Sequence, residues 1–358
     1  MLQITLVLSW LAVPVGLVCV TDDWLLRPRR QLSAAADPAA LALAYLLLPI
    51  LIGAAVVRLF IAEQVDFSAV LIAAAAATGA VWLADGVVLS RRRRAAAKAS
   101  GKDPLAIREP GTVDYARSFF PVLVAVLLLR SFVFSPFRIA SDSMMPTLRD
   151  GDLILVDKFS YGLRLPLVHT KFLSTGEPRR GEVVVFHPPM APSQAWIKRV
   201  VGLPGDHVEV REDRITINGN AVPFKVTADY SDGCYQQMQI ATEHLGTHVH
   251  QALLCPMPLE VTPQPLPGCP RTDTRGYYCG GTPPADAVPL DEAKIFRTVV
   301  PPGEYMVMGD NRDNSDDSRY WGFVTERELI GRARYIAFSW DPHQSGGPVW
   351  SRMGKRIN

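Results

Sequence analysis

Long uncharged apolar runs crowd the first 137 residues, and they constrain this chain more than any other feature. Met1–Val20, Ala39–Val57 and Phe67–Ala84 contain no charged residue. Ser118–Leu129 forms a shorter run, extended beyond Arg130 by Ser131–Phe137. A helix needs about 20 mostly apolar residues to cross a bilayer core. The first three runs meet that length, and the fourth does so if the Arg130 side chain reaches a headgroup layer. The sequence therefore predicts four transmembrane helices within residues 1–136. A cleaved secretory leader is the rival reading of the first run. It requires a basic segment ahead of the apolar one, and no Lys or Arg precedes Arg27, so a retained anchor is preferred.

Basic residues orient such helices, because loops rich in Lys and Arg stay cytoplasmic. Arg27, Arg29 and Arg30 follow the first run, and Arg91–Arg94, Lys98, Lys102 and Arg108 lie between the third and fourth. Both loops are cytoplasmic if the N-terminus is outside and the chain crosses four times. Residues 137–358 then form an extracytoplasmic domain. A net charge of +2, with its cations confined to short runs, argues against nucleic acid as a partner. Membrane lipid is the expected partner instead.

Beyond Phe137 short apolar segments alternate with Gly and Pro. Leu153–Val156, Val183–Phe186, Ile197–Val201, Val208–Val210, Ile215–Ile217, Tyr305–Met308 and Ala333–Trp340 read as strands. Asn218-Gly219 is a tight-turn signal, since both residues tolerate positive φ. The expected fold is a mainly β domain behind membrane helices. Residues 226–292 break the pattern with four cysteines, three histidines and dense proline. They are expected to be a disulfide-stapled insert. In an oxidising compartment Cys234, Cys255, Cys269 and Cys279 suggest two disulfides with three possible connectivities. A zinc site using His244, His248 and His250 ranks lower, because no C-x-x-C or H-E-x-x-H is present, and those histidines read as a solvated loop.

Three motifs carry chemistry. Ser141-Asp142-Ser143-Met144-Met145-Pro146-Thr147-Leu148 follows the last apolar run and offers a hydroxyl that needs a neighbouring base to become a nucleophile. Trp196-Ile197-Lys198-Arg199-Val200-Val201-Gly202 places a lysine in a strand, where simple alternation would turn it to solvent. Gly309-Asp310-Asn311-Arg312-Asp313-Asn314-Ser315-Asp316-Asp317-Ser318-Arg319 is dense in acids but fails the EF-hand spacing, so no metal is expected. It reads as an ion-paired scaffold.

Together and in this order, the motifs resemble the bacterial type I signal peptidase (leader peptidase) family. The match spans roughly Ser131–Arg334, apart from the insert. The resemblance implies an all-β catalytic domain and a serine endopeptidase that removes signal peptides from exported preproteins after Ala-x-Ala-type small residues. It implies a monomer of the bacterial inner membrane, without a cofactor. By position it makes Ser143 the nucleophile, Lys198 the general base, and Ser141 with the Ser143 N–H the oxyanion hole. Ser315 would orient the lysine, and Asp317 and Arg319 would steady the loop beside Asp310 and Arg312. Phe137, Ile139, Met144, Leu148, Ile154 and Ile197 would line the substrate pockets. Asp142 departs from the family's frequent Gly and sets a carboxylate near the oxyanion site, and Ser135 replaces a common Glu. A specialised relative with few substrates, such as a conjugation-system peptidase, is an alternative enzyme. Self-cleaving repressors lack membrane spans, a transporter would need charged intramembrane groups, and a decayed protease would not keep all four hydroxyl and amine positions.

Overall fold

The computed structural model describes residues 2–27, 38–62, 67–99, 101, 103, 109–166, 170–211, 213–232, 235–255, 259–261, 276–278, 288–289, 295–341 and 346–358. The chain divides into two compact units, Met1–Arg130 and Ser131–Asn358.

The first unit is helical. Helices Leu2–Thr21, Ala39–Ala62, Phe67–Ala84 and Gly111–Leu128 occupy the four apolar segments. Ala and Leu are strong helix formers, and a helix satisfies every backbone group without water. Among the described residues, Ser68–Ala99 and Gly111–Val133 are long and apolar enough to cross a membrane, and Ala39–Ala55 is a shorter apolar helix. Small residues set the packing here. A Cβ at Gly79 would lie 2.7 Å from the Phe120 ring, so glycine lets these two helices approach. The buried Asp23 carboxylate accepts the Thr112 N–H at 2.7 Å, and Trp24 Nε1 donates to Thr112 Oγ1 at 3.0 Å. Cys19 is buried with a free thiol. The expected extension of the last span through Phe137 is corrected: the helical path ends at Val133, and Phe134–Arg138 is a strand.

The second unit is mainly β, as expected. Its strands are β1 (Phe134–Arg138), β2 (Asp152–Asp157), β3 (Leu163–Arg164), β4 (Lys171–Leu173), β5 (Val183–Phe186), β6 (Trp196–Gly202), β7 (His207–Arg211), β8 (Arg214–Ile217) and β9 (Asn220–Ala221). Then come β10 (Phe224–Asp232), β11 (Tyr235–Leu245), β12 (His248–Leu254), β13 (Leu259–Val261), β14 (Gly276–Tyr278) and β15 (Val288–Pro289). The last four are β16 (Phe296–Val299), β17 (Glu304–Met308), β18 (Val324–Thr325) and β19 (Leu329–Ser339). A seven-stranded sheet runs β1-β2-β19-β5-β6-β17-β18. Every strand read from the sequence falls on one of these. Asn218 and Gly219 adopt φ of 51° and 79°, as the β8–β9 turn requires.

Two apolar layers sandwich the sheet around β5 and β6. Ile139, Met144, Leu148, Ile154, Val183, Val185 and Ile197 cluster on one side, and Tyr161, Val184, Phe186, Val200 and Val307 on the other. Strand β6 is therefore buried on both faces.

The insert is more regular than the sequence suggested. Strands β10, β11 and β12 form a three-stranded antiparallel sheet, and Leu245 pairs with His248 across a turn at Gly246, whose φ is 62°. The reading of the histidines as a solvated loop is corrected: His250 is buried, and His244 and His248 lie in strands. No disulfide joins two described cysteines. Cys255 is disulfide-bonded, while Cys234, Cys269 and Cys279 lie outside the described residues. Among the described residues there is no cluster that fits a metal ion.

Candidate active site

Ser143 lies on a turn between β1 and β2. Met145 N–H donates to the Asp142 carbonyl at 3.0 Å, Leu148 N–H to the Met144 carbonyl at 2.9 Å, and Gly151 N–H to the Ile139 carbonyl at 3.0 Å. Met144 and Leu148 are fully buried and pin this turn to the core. That placement differs from the pocket-lining role expected of them. The Asp142 carboxylate accepts the Asp150 N–H at 3.2 Å, which directs its Oδ1 toward the far end of the turn.

Lys198 sits in the middle of β6 opposite Val184. Its side chain is buried, and Nζ donates to Ser143 Oγ at 2.7 Å. Ser141 Oγ is 3.3 Å from Ser143 Oγ, and the Trp196 ring centroid is 5.8 Å from Nζ. Ser315 is buried nearby, but its hydroxyl has no hydrogen-bond partner among the described residues. A Cβ at Gly309 would fall 2.2 Å from Ser315 Oγ and 2.5 Å from the Ser143 carbonyl oxygen. Only glycine lets the end of β17 pass between the two serines.

Ion pairs fix the loop after β17. Asp310 receives Arg199 Nε and Nη2, each at 2.7 Å, and also accepts the Thr147 hydroxyl. One carboxylate thus joins the serine turn to the residue beside Lys198. Burial alone would push the Asp310 carboxyl up, but the Arg199 guanidinium holds it below its ordinary range. Asp317 is held down in the same way by Arg319, whose Nε and Nη2 lie 2.8 and 2.9 Å from its oxygens, and it also accepts the Gly309 N–H at 2.9 Å. Asn311 N–H donates to the Ser143 carbonyl at 3.1 Å, and Asn311 Nδ2 to the Asp142 carbonyl at 3.1 Å.

The insert sheet braces the loop from behind, which no sequence signal revealed. Leu253 N–H donates to the Asp310 carbonyl at 2.8 Å, and Cys255 N–H to Asp313 at 2.6 Å. Burial pushes the Asp313 carboxyl up to about 8, with Asp213 adding to the rise. Glu243 on β11 pairs with the buried Arg312, and His250 Nε2 lies 3.3 Å from Glu243 and 3.7 Å from Asp310. Burial and the Arg199 charge lower the His250 pKa, which favours the neutral ring.

Burial would raise Glu243, yet Arg312 and His250 outweigh it and bring the carboxyl down to about 2. A carboxyl depressed from 4.5 on folding stabilises the fold above that pH, and the contribution is lost as pH falls toward about 2. Glu243→Gln is expected to remove this acid-sensitive part. Denaturant melts between pH 5 and 2 should show the wild type losing stability on the order of 3 kcal/mol more than the variant. Parallel losses would contradict it.

Beside these residues opens a cleft of about 260 Å³. Of the expected pocket residues, Phe137, Ile139, Ile154 and Ile197 line it, and Met144 and Leu148 do not. Val185, Ala195, Trp196, Arg138 and Asp316 line it too, and the sequence reading assigned none of them to a pocket. Ser141 and Lys198 close one part of the lining.

A family model described as signal peptidase, peptidase S26, matches residues 112–338, which include the whole of this constellation. The chain belongs to that family. It is 38% identical to the signal peptidase I of Pseudomonas aeruginosa over 310 residues, covering 81% of this chain and 98% of the relative. The signal peptidase I of Pseudomonas fluorescens is also 38% identical, covering 81% and 99%. That of Haemophilus influenzae is 30% identical, covering 80% and 90%. A solved signal peptidase I from Enterococcus faecalis matches at 25% identity over 44% of this chain and 98% of that one, with a TM-score of 0.22. The peptidase is thus a hydrolase, and its relatives match both its helical and its β unit by length.

Proposed function

We propose that the chain is a membrane-bound serine endopeptidase that cleaves signal peptides from exported preproteins, with Ser143 as nucleophile and Lys198 as general base. One observation carries the reading: a buried lysine amine stands 2.7 Å from a serine hydroxyl at the side of a cleft whose lining includes Phe137, Ile139, Ile154 and Ile197. A neutral amine at that distance can take the Ser143 proton as Oγ attacks the scissile carbonyl. Ser141 Oγ and the Ser143 N–H would then face the charge that develops on the carbonyl oxygen. The protonated amine returns its proton to the departing amide nitrogen, and water repeats the sequence on the acyl-enzyme.

The cleft also supports a preference for small residues. Segments 137–141 and 194–198 flank it, and an extended peptide lying between them would turn alternate side chains into the apolar floor. Substrates with Phe in place of Ala at the first or third position before the bond are expected to lose most of their cleavage rate. Equal kcat/KM for the two would contradict a size-selective cleft.

The catalytic unit is assigned to the extracytoplasmic face of the inner membrane, with four spans and the N-terminus outside. The positions of Arg27 and Arg91–Arg94 support this orientation. Single cysteines at positions 64 and 97 test it: an impermeant thiol reagent should label the first in intact cells and the second only after lysis. The reverse pattern would invert the topology. Two disulfides among Cys234, Cys255, Cys269 and Cys279 are proposed for the insert, and the bonded state of Cys255 supports at least one.

A further inference from the structure

Asn311 is fully buried, and it holds both peptide groups that flank Ser143. Its backbone N–H donates to the Ser143 carbonyl at 3.1 Å, and its side-chain Nδ2 to the Asp142 carbonyl at 3.1 Å. The Asp142 carbonyl also accepts the Met145 N–H at 3.0 Å, so the serine turn and the loop after β17 anchor the same oxygen. That oxygen and the Ser143 N–H belong to one peptide group. The group is planar and trans, so its carbonyl and N–H point in opposite directions. Fixing the carbonyl therefore fixes where the N–H points. Asn311 is itself held from behind, since it bridges in parallel to Leu253 of β12, whose N–H donates to the Asp310 carbonyl. Its Oδ1 is buried with no hydrogen-bond partner among the described residues. An unpaired buried oxygen is unfavourable, and an apolar residue of similar size would avoid it. What the amide supplies in exchange is the Nδ2 donor.

We propose that Asn311 is a positioning residue of the oxyanion hole, holding the Ser143 N–H in line for the charge that develops on the scissile carbonyl. The inference rests on the signal-peptidase reading and deepens it. Asn311 does not line the cleft and acts through the peptide it holds. A donor stabilises the developing oxyanion best when it is aimed before the reaction starts. The Nδ2 contact also polarises the peptide group, which strengthens its N–H as a donor. The backbone contact to the Ser143 carbonyl fixes the next peptide, so the nucleophile's backbone is clamped on both sides of its Cα.

The test uses full-length wild type, Asn311→Leu and Asn311→Ala. Both changes remove the Nδ2 donor and keep the backbone N–H. One readout is the KM for a preprotein with Ala at the first and third positions before the bond. The other is the inhibition constant of a peptide of the same residues ending in a boronic acid. Ser143 Oγ adds to the boron, the hydroxyl proton passes to Lys198, and the anionic tetrahedral adduct places an oxygen where the oxyanion would lie. Neither constant depends on the folded fraction. Outright loss of an oxyanion donor costs about a hundred to a thousandfold, so loosening one is expected to cost about tenfold or more. The inhibition constant should rise by at least about tenfold in both variants, with KM within about twofold of wild type. An inhibition constant that stays at the wild-type value, or rises only in step with KM, overturns the proposal, while cleavage by wild type leaves the signal-peptidase reading standing. Loss of folded protein in both variants also overturns it, by making Asn311 a folding residue. If wild type cleaves no preprotein, the signal-peptidase reading fails and takes the inference with it.

Discussion

Lys198→Arg is expected to fold and to lose cleavage by more than about a thousandfold. Arginine keeps the positive charge and can still donate to Ser143 Oγ, but it cannot deprotonate within the working pH range. The loss thus separates a base from a mere hydrogen-bond donor at the 2.7 Å contact. Removal of a general base typically costs about a hundred to ten thousandfold, and groups that act as a unit cost more. Circular dichroism of the variant should match the wild type. A variant that keeps most of its rate would remove Lys198 from the chemistry.

The second large effect concerns Asp310. Its carboxylate is buried with Arg199, and it also contacts Thr147 in the serine turn. Removing one member of a buried pair leaves the other uncompensated, which costs about 3–5 kcal/mol. Asp310→Ala should therefore lower unfolding free energy by that amount in denaturant melts. It should also reduce cleavage in the fraction that stays folded, since the serine turn and β6 lose a shared tether. The double change Asp310→Leu with Arg199→Met should recover part of the stability, because no buried charge then remains. Recovery of stability without recovery of rate would separate the tether from the fold. A single Asp310→Ala change that costs less than about 1 kcal/mol would contradict the burial of this pair.

Much of this was legible because local patterns agree with the global fold. The apolar runs have the length and composition of helices, and the short β-branched segments such as Val183–Phe186 can serve only as buried strands. Asn218-Gly219 declares its turn by conformational demand. Lys198 was harder. Period-two alternation would expose it, but β6 is covered on both faces, and burial on both faces depends on partners far away in sequence. For the same reason, Met144 and Leu148 were read as pocket residues and instead lie in the core beneath the turn. Glu243 and His250 left no signal at all. Their role arises when β11 and β12 pack behind the loop that starts at Asp310, a contact across more than fifty residues of intervening chain. Polar residues clustered around Gly246 resemble a loop until their pairing partners are known. The Asp142 carboxylate also gave up its meaning only with the fold, which supplies the Asp150 N–H as a partner.

What Ser143 does to a preprotein decides whether its hydroxyl is the nucleophile. Wild-type enzyme and Ser143→Ala should be incubated with a preprotein carrying Ala at the first and third positions before its cleavage point, and the products measured by mass. Wild type is predicted to release one mature product whose new N-terminus lies directly after the second of those alanines, with Ser143→Ala slower by more than about a thousandfold. A Ser143→Ala enzyme that yields the same product at a comparable rate would contradict the assignment of the nucleophile and the mechanism built on it.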